Sequence, residues 1–295
     1  MSVQLRIHSA TTKDQQGVQR LLQEARRSYV AFGAEDLPRF LDRGACFVAA
    51  RLDSDGVRET DELWALICAT TDRSRWAYLR GAAVIDGYRT DDGIQAVMPA
   101  LVEDLAARSI AHLAAYGTAV WLVPVLTRVG FERLDWIVTL ERHARPVELT
   151  PPAGLLLRPV AAQDLMALAK LDRQIFEPPY QLASGELIEL MITSGYFAVT
   201  VWAGPGQAEI PVGYVCTDIP GETGQIIRLA VHPSQQRQGI GRMLLNSALA
   251  YCHGQGARRI VLNTQESNSA SLKLYEQSGF RRVGRRIPLL VRAVE

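Results

Sequence analysis

Residues 226–280 constrain this chain more than any other stretch. They read IIRLAVHPSQQRQGIGRMLLNSALAYCHGQGARRIVLNTQESNSASLKLYEQSGF. The run 226–231 is short, apolar and rich in branched side chains, and His232-Pro233 closes it, so it reads as a buried strand. Gln236, Gly239 and Gly241 come next. Ile240, Met243, Leu244, Ala248, Tyr251 and Cys252 then recur at spacings of three and four, which predicts one apolar helix face. Gly254 and Gly256 end that helix. A strand over 259–264 and a helix carrying Leu272, Leu274 and Tyr275 follow, stopping at Gly279. The order strand, glycine turn, helix has a physical use. Glycine lets backbone come close to a ligand, and the unpaired N–H groups of a first helical turn hold a phosphate. A tight turn into a packing helix produces the same short pattern.

Four pieces of this stretch are linked in order and spacing. They are the strand end Leu229-Ala230-Val231-His232-Pro233, the loop Gln236-x-x-Gly239-x-Gly241, Asn268-x-Ala270, and Leu274-Tyr275-x-x-x-Gly279-Phe280. Together they resemble the acetyl-CoA site of the GNAT acetyltransferase superfamily. The resemblance implies direct attack of an amine on the thioester, with both substrates bound at once. It implies that the N–H groups of Gln238, Gly239, Ile240, Gly241 and Arg242 hold the pyrophosphate, with Gln236 in the same loop and Arg237 and Arg242 adding charge. It makes Leu229 N–H the oxyanion donor, Ala230 and Val231 the partners of the pantetheine arm, and Tyr275 the acid that protonates the departing thiolate. Asn268 is a candidate for the cofactor arm and equally a helix N-cap. No metal is implied.

The chain has 295 residues, comfortable for two domains. Its 32 basic and 31 acidic residues nearly cancel, which argues against a nucleic-acid or membrane footprint. Cys46, Cys68, Cys216 and Cys252 are scattered in apolar segments without metal-ligand or redox spacing, and read as buried small side chains. With no basic-then-apolar leader and no membrane-length apolar run, a cytoplasmic location is expected.

Residues 143–154, HARPVELTPPAG, read as a linker between diverged copies. Leu5-Arg6-Ile7 with Asp14 parallels Leu157-Arg158-Pro159-Val160 with Asp164, and Gly130-Phe131 parallels Gly279-Phe280. The expected fold is therefore α/β (α+β): two tandem GNAT-like domains, each a mixed, mostly antiparallel central sheet flanked by helices. Residues 1–145 form a degenerate copy lacking the acetyl-CoA site, and residues 153–295 form the acetyltransferase domain. In the first copy a helix is expected over 15–30, a hairpin over 46–52 and 63–70 connected through Asp53-Ser54-Asp55-Gly56, and a central strand over 79–85. Asp91-Asp92-Gly93-Ile94-Gln95 takes the place of the phosphate loop, where two carboxylates would repel a pyrophosphate. Leu126 stands where Tyr275 stands in the second copy. Packing and shaping an acceptor cleft both remain open as the first copy's role.

In the second copy a helix is expected up to about Phe176, broken by Glu177-Pro178-Pro179-Tyr180, with another from about Ser184. This phrase is similar to the corresponding region of ribosomal-protein N-terminal acetyltransferases, and a packed loop explains it as well. No general base is legible: Gln225 and Asn263 stand where related enzymes carry glutamates, and neither accepts a proton usefully. Glu222, Glu266 and His232 lie nearby in sequence. The acceptor is expected to be a small-molecule or peptide primary amine. Two alternatives stay open: a mycothiol-synthase-like acetylation of a cysteinyl amino-sugar conjugate, and a non-catalytic acyl-CoA-binding regulatory protein.

Overall fold

The computed structural model describes residues 5–52, 59–73, 75–85, 90–149, 154–182, 184–202 and 210–294. The hairpin connection Asp53-Ser54-Asp55-Gly56, and residues 150–153 at the expected domain boundary, lie outside them. In chain order the elements are β1 (Leu5–Ser9), α1 (Gln15–Glu24), β2 (Arg27–Val30), α2 (Leu37–Arg43), β3 (Ala45–Leu52), β4 (Glu59–Arg73) and β5 (Trp76–Val84). Then come α3 (Thr90–Ala107), β6 (His112–Tyr116), α4 (Leu122–Arg128), β7 (Glu132–His143), β8 (Leu155–Pro159), α5 (Leu165–Ile175) and α6 (Ser184–Thr193). The series ends with β9 (Tyr196–Trp202), β10 (Ile210–Asp218), β11 (Thr223–Val231), α7 (Ile240–Gly254), β12 (Arg259–Gln265), α8 (Ser269–Gln277) and β13 (Arg281–Ala293). The chain forms two compact units, Met1–Asp135 with Ile287–Glu295, and Trp136–Arg286.

In the first unit β1, β3, β4 and β5 are antiparallel neighbours. β6 pairs parallel to β5 only over Trp76–Tyr78, and residues 289–293 of β13 pair antiparallel to β6. One sheet face packs on α3 through Ile94, Val97, Met98, Leu101 and Leu105, all essentially solvent-free, and the other packs on α1 and α2 through Val18, Leu21, Leu37 and Leu41. Each fully buried leucine in such a layer contributes roughly 1.5–3 kcal/mol.

Three local expectations are corrected here. The helix expected over 15–30 stops at Glu24, because Ala25 is extended and Arg27–Val30 pair with residues 81–84 of β5. Residues 91–95 are not a loop; they form the opening of α3, where the exposed Asp92 suits a helix N-terminus. A methyl at Gly93 would come within 2.9 Å of Val84 Cγ1, so this glycine lets the helix sit on the sheet. Cys46 and Cys68 face each other across β3 and β4 and are disulfide-bonded, whereas Cys216 and Cys252 are the buried free thiols expected.

The second unit repeats the plan. β8, β9, β10 and β11 are antiparallel neighbours, β12 runs parallel to β11, and residues 137–143 of β7 pair antiparallel to β12. α7 covers one face through Ile240, Leu244, Leu245, Ala248, Leu249 and Cys252. α5 and α6 cover the other, where Leu168, Leu171 and Leu187 meet Tyr214, Cys216 and Ala230. Both units are thus mixed sheets, mostly antiparallel, between helical layers.

Candidate functional site: a cleft between parting strands

β11 and β12 pair in parallel from Thr223–Arg259 to Ile226–Leu262 and then part. Beyond Ile226, no strand among the described residues pairs with β11 on that side. On the β10 side, His232 N–H donates to the Val212 carbonyl at 2.8 Å, and Ala230 stands opposite Tyr214. The alternation of an antiparallel ladder then turns the Arg228 and Ala230 N–H groups toward β10, and those of Leu229 and Val231 the other way, into the gap. That gap is a cleft of about 690 Å³, and Leu229, Ala230 and Val231 form one wall.

The glycine loop forms the next wall. Arg237 and Gly239 both adopt left-handed backbone, φ +63° and +83°. For a non-glycine such as Arg237 this costs on the order of 1 kcal/mol, and the outlier marks a loop whose shape is held by its surroundings. Gln236 Nε2 donates to the Val231 carbonyl at 3.3 Å, tying the loop to the strand end. The helical hydrogen bonds of α7 begin with Met243 N–H donating to Gly239 O at 3.0 Å. Ile240, Gly241 and Arg242 therefore present N–H groups without intrahelical partners. Gln236, Arg237, Gly239, Gly241 and Arg242 line the cleft. Gln238 does not, and Ile240 points its side chain into the core beneath α7.

α8 supplies the third wall. Asn268 is its N-cap, with Oδ1 accepting from Ser271 N–H at 3.1 Å, and it lines the cleft together with Ser271, Lys273 and Leu274. Tyr275 is placed differently from the other candidates. It is 6% exposed, sits edge-on to Phe280 and belongs to the core cluster rather than to the cleft lining. Burial pushes its phenol up to about 12, with a hydrogen bond to the cleft residue Ser271 pulling the other way. The group is therefore fully protonated at neutral pH.

The fourth wall was only partly visible in the sequence. Ile175, Phe176, Glu177 and Tyr180, after α5, line the cleft. They are tied to β11 by a cluster no motif announced. Arg228 Nε and Nη2 reach the two carboxylate oxygens of Asp172 at 2.7 and 3.0 Å. Tyr214 Oη donates to the same carboxylate and accepts from Arg228 Nε at 3.0 Å. The Arg228 guanidinium carbon lies 3.7 Å from the Phe176 ring centroid, and its Nη2 donates to the Tyr180 carbonyl at 3.0 Å. With Asp172 2% and Arg228 12% exposed, this is a desolvated pair with its hydrogen bonds met. Burial raises the Tyr214 phenol well above its ordinary value. The only signal in the sequence was three polar side chains inside apolar elements.

The residues considered as bases are elsewhere. Glu222 pairs with Arg258, Glu266 with Arg282 and Arg286, and His232 Nδ1 with Ser234 Oγ. Gln225 and Asn263 are exposed, and Asn263 Oδ1 accepts from Thr139 Oγ1 at 2.8 Å. None of the five lines the cleft.

Comparison with known proteins agrees with this geometry. The family profile described as Acetyltransferase (GNAT) family matches residues 165–280. A mycothiol acetyltransferase of Geodermatophilus obscurus is 25% identical over 206 residues, 64% of this chain and 66% of that protein. A [ribosomal protein bS18]-alanine N-acetyltransferase of Escherichia coli is 33% identical over 67 residues, 23% of this chain and 45% of that one. The chain spans less than two thirds of the length of these relatives. Among solved structures, a tandem GNAT protein from the clavulanic acid biosynthesis pathway superposes with a TM-score of 0.64 at 14% identity, covering 99% of both chains, a likeness of fold. Residues 165–280, which hold the parted strands and the glycine loop, match the GNAT acetyltransferase family.

Proposed function

We propose that this protein is an acetyl-CoA-dependent N-acetyltransferase that moves an acetyl group to a primary amine by direct attack in a ternary complex. One observation carries the reading: β11 leaves β12 after Ile226, so that the free edge Leu229–Val231 and the left-handed loop at Arg237 and Gly239 share one cleft. A free strand edge takes an extended amide-bearing arm as an added strand, and a helix N-terminus takes a pyrophosphate. Arg237, Arg242 and Lys273 give that end of the cleft positive charge. In the reaction the amine nitrogen bonds to the thioester carbon and the carbon–sulfur bond breaks. Leu229 N–H stabilises the oxygen as it gains charge. The thiolate takes a proton from Tyr275, and the proton that the attacking nitrogen sheds passes through solvent and restores the phenol.

The reading assigns one acetyl-CoA site per chain, in the second unit. In the first unit Gly81 follows the last parallel pair, Tyr78 with Ala114, at the offset by which Leu229 follows Ile226 with Leu262. There β2 pairs with residues 81–84, and Ala31 N–H bonds to the Arg80 carbonyl. The edge that would take the pantetheine arm is occupied by the chain itself. The likeness to mycothiol acetyltransferase over 206 residues supports a second reading of the acceptor, a cysteinyl amino-sugar conjugate.

The test is thiol release from acetyl-CoA across a panel of amino sugars, polyamines and peptides with free N-termini. Release that requires a primary amine supports the proposal. Binding of acetyl-CoA without release toward any amine points instead to a non-catalytic acyl-CoA-binding protein.

A further inference from the structure

The charges lining the cleft are sorted. Arg237, Arg242 and Lys273 stand on the glycine loop, α7 and α8, while Glu177, on the wall after α5, is the one carboxylate among the lining residues. Among the described residues its side chain has no hydrogen-bond or ion-pair partner, although surface carboxylates elsewhere in this unit, such as Glu222 and Glu266, are paired. Its backbone is fixed. Arg228 stacks on Phe176, one residue before it, and bonds the carbonyl of Tyr180, three residues after it. Glu177 O also accepts from Tyr180 N–H at 2.9 Å. A single largely buried guanidinium, locked by Asp172, thus holds both flanks of an unpaired carboxylate that lines the cleft. The anionic donor belongs against the basic residues by charge, and the wall that carries Glu177 suits a positively charged partner.

We propose that Glu177 determines acceptor specificity: it receives an ammonium group of the acceptor other than the neutral amine that attacks, with Arg228 as the positioning residue that holds it there. This rests on the transferase reading above and adds the acceptor's charge. Glu177 is exposed and its side chain makes no hydrogen bond or ion pair among the described residues, so Glu177→Gln leaves folding intact. Kinetics are compared for the wild type, Glu177→Gln and Glu177→Asp, with putrescine and spermidine as acceptors that carry a further ammonium group and aniline as an amine uncharged at neutral pH. The expected result is a KM for the cationic amines raised about tenfold or more in Glu177→Gln, as for loss of one charge-assisted contact. KM is partly restored in Glu177→Asp and unchanged for aniline, and acetyl-CoA affinity is unaltered. An equal KM in wild type and Glu177→Gln, or an equal rise for aniline, overturns the assignment. A wild type that binds acetyl-CoA yet releases no thiol with any amine overturns the transferase reading, and this assignment with it.

Discussion

Ile226 stands opposite Leu262 as the last parallel pair of β11 and β12, and the candidate cleft is the gap that opens beyond it. Tyr78 and Ala114 end the equivalent pairing in the first unit, where β2 fills the gap. The two units share a plan and differ in whether the edge of the central strand is free.

Tyr275→Phe tests the proton step. The ring keeps its place against Phe280, so folding stability should change by no more than about 1 kcal/mol and acetyl-CoA affinity should hold. Turnover should fall on the order of a hundredfold. Because the phenol is pushed up to about 12, wild-type turnover should show no loss attributable to ionisation of this group below about pH 11. Affinity and turnover falling together would make Tyr275 a packing residue.

Gly239→Ala tests the cradle. Gly239 has φ +83° at the entry to α7, a conformation costing an alanine about 1 kcal/mol. Acetyl-CoA affinity should drop on the order of fivefold, read by calorimetry. An unchanged affinity would separate the loop's shape from cofactor binding.

Asp164→Asn tests the α5 entry. Arg158 reaches both Asp164 oxygens at 2.7 and 2.9 Å, and Ala161 N–H bonds to the same carboxylate. The Arg158 hydrogen bonds hold its pKa below the ordinary 3.8. Because the folded pKa is the lower one, the stabilisation is present above about pH 4 and is lost as pH falls through the folded value. Denaturant unfolding should show the variant less stable by roughly 1–3 kcal/mol at pH 7 and its acid limb flatter below pH 4. An acid limb identical to wild type would contradict the linkage.

The buried thiols provide a fourth check. Burial pushes Cys216 and Cys252 each up to about 11, so both remain protonated at pH 8. Native protein should react with a thiol reagent far more slowly than denaturant-unfolded protein. Rapid stoichiometric labelling of the native state would contradict the burial.

The sequence made the local half of this site readable. A branched strand, a glycine turn and an amphipathic helix lie within 226–280, and each is specified by neighbours a few residues apart, as β11, α7, β12 and α8 bear out. Non-local pairings were not readable. Arg228 meets Asp172 across 56 positions and Tyr214 across 14, and nothing in spacing announces a pair fixed only by the packing of α5 on the sheet. The helix over-extended to residue 30 has the same origin: Tyr29 and Val30 are set by β5, about fifty residues on. The motif fixed where Tyr275 lies along α8, but its depth in the core depends on Phe280 and the sheet.

The most direct measurement is calorimetric titration of the whole chain with acetyl-CoA. One molecule bound per chain, with affinity weakened by Gly239→Ala, is the predicted result. Two molecules per chain, or none, would contradict the claim that the gap beyond Ile226 is the acetyl-CoA site and that β2 closes its counterpart.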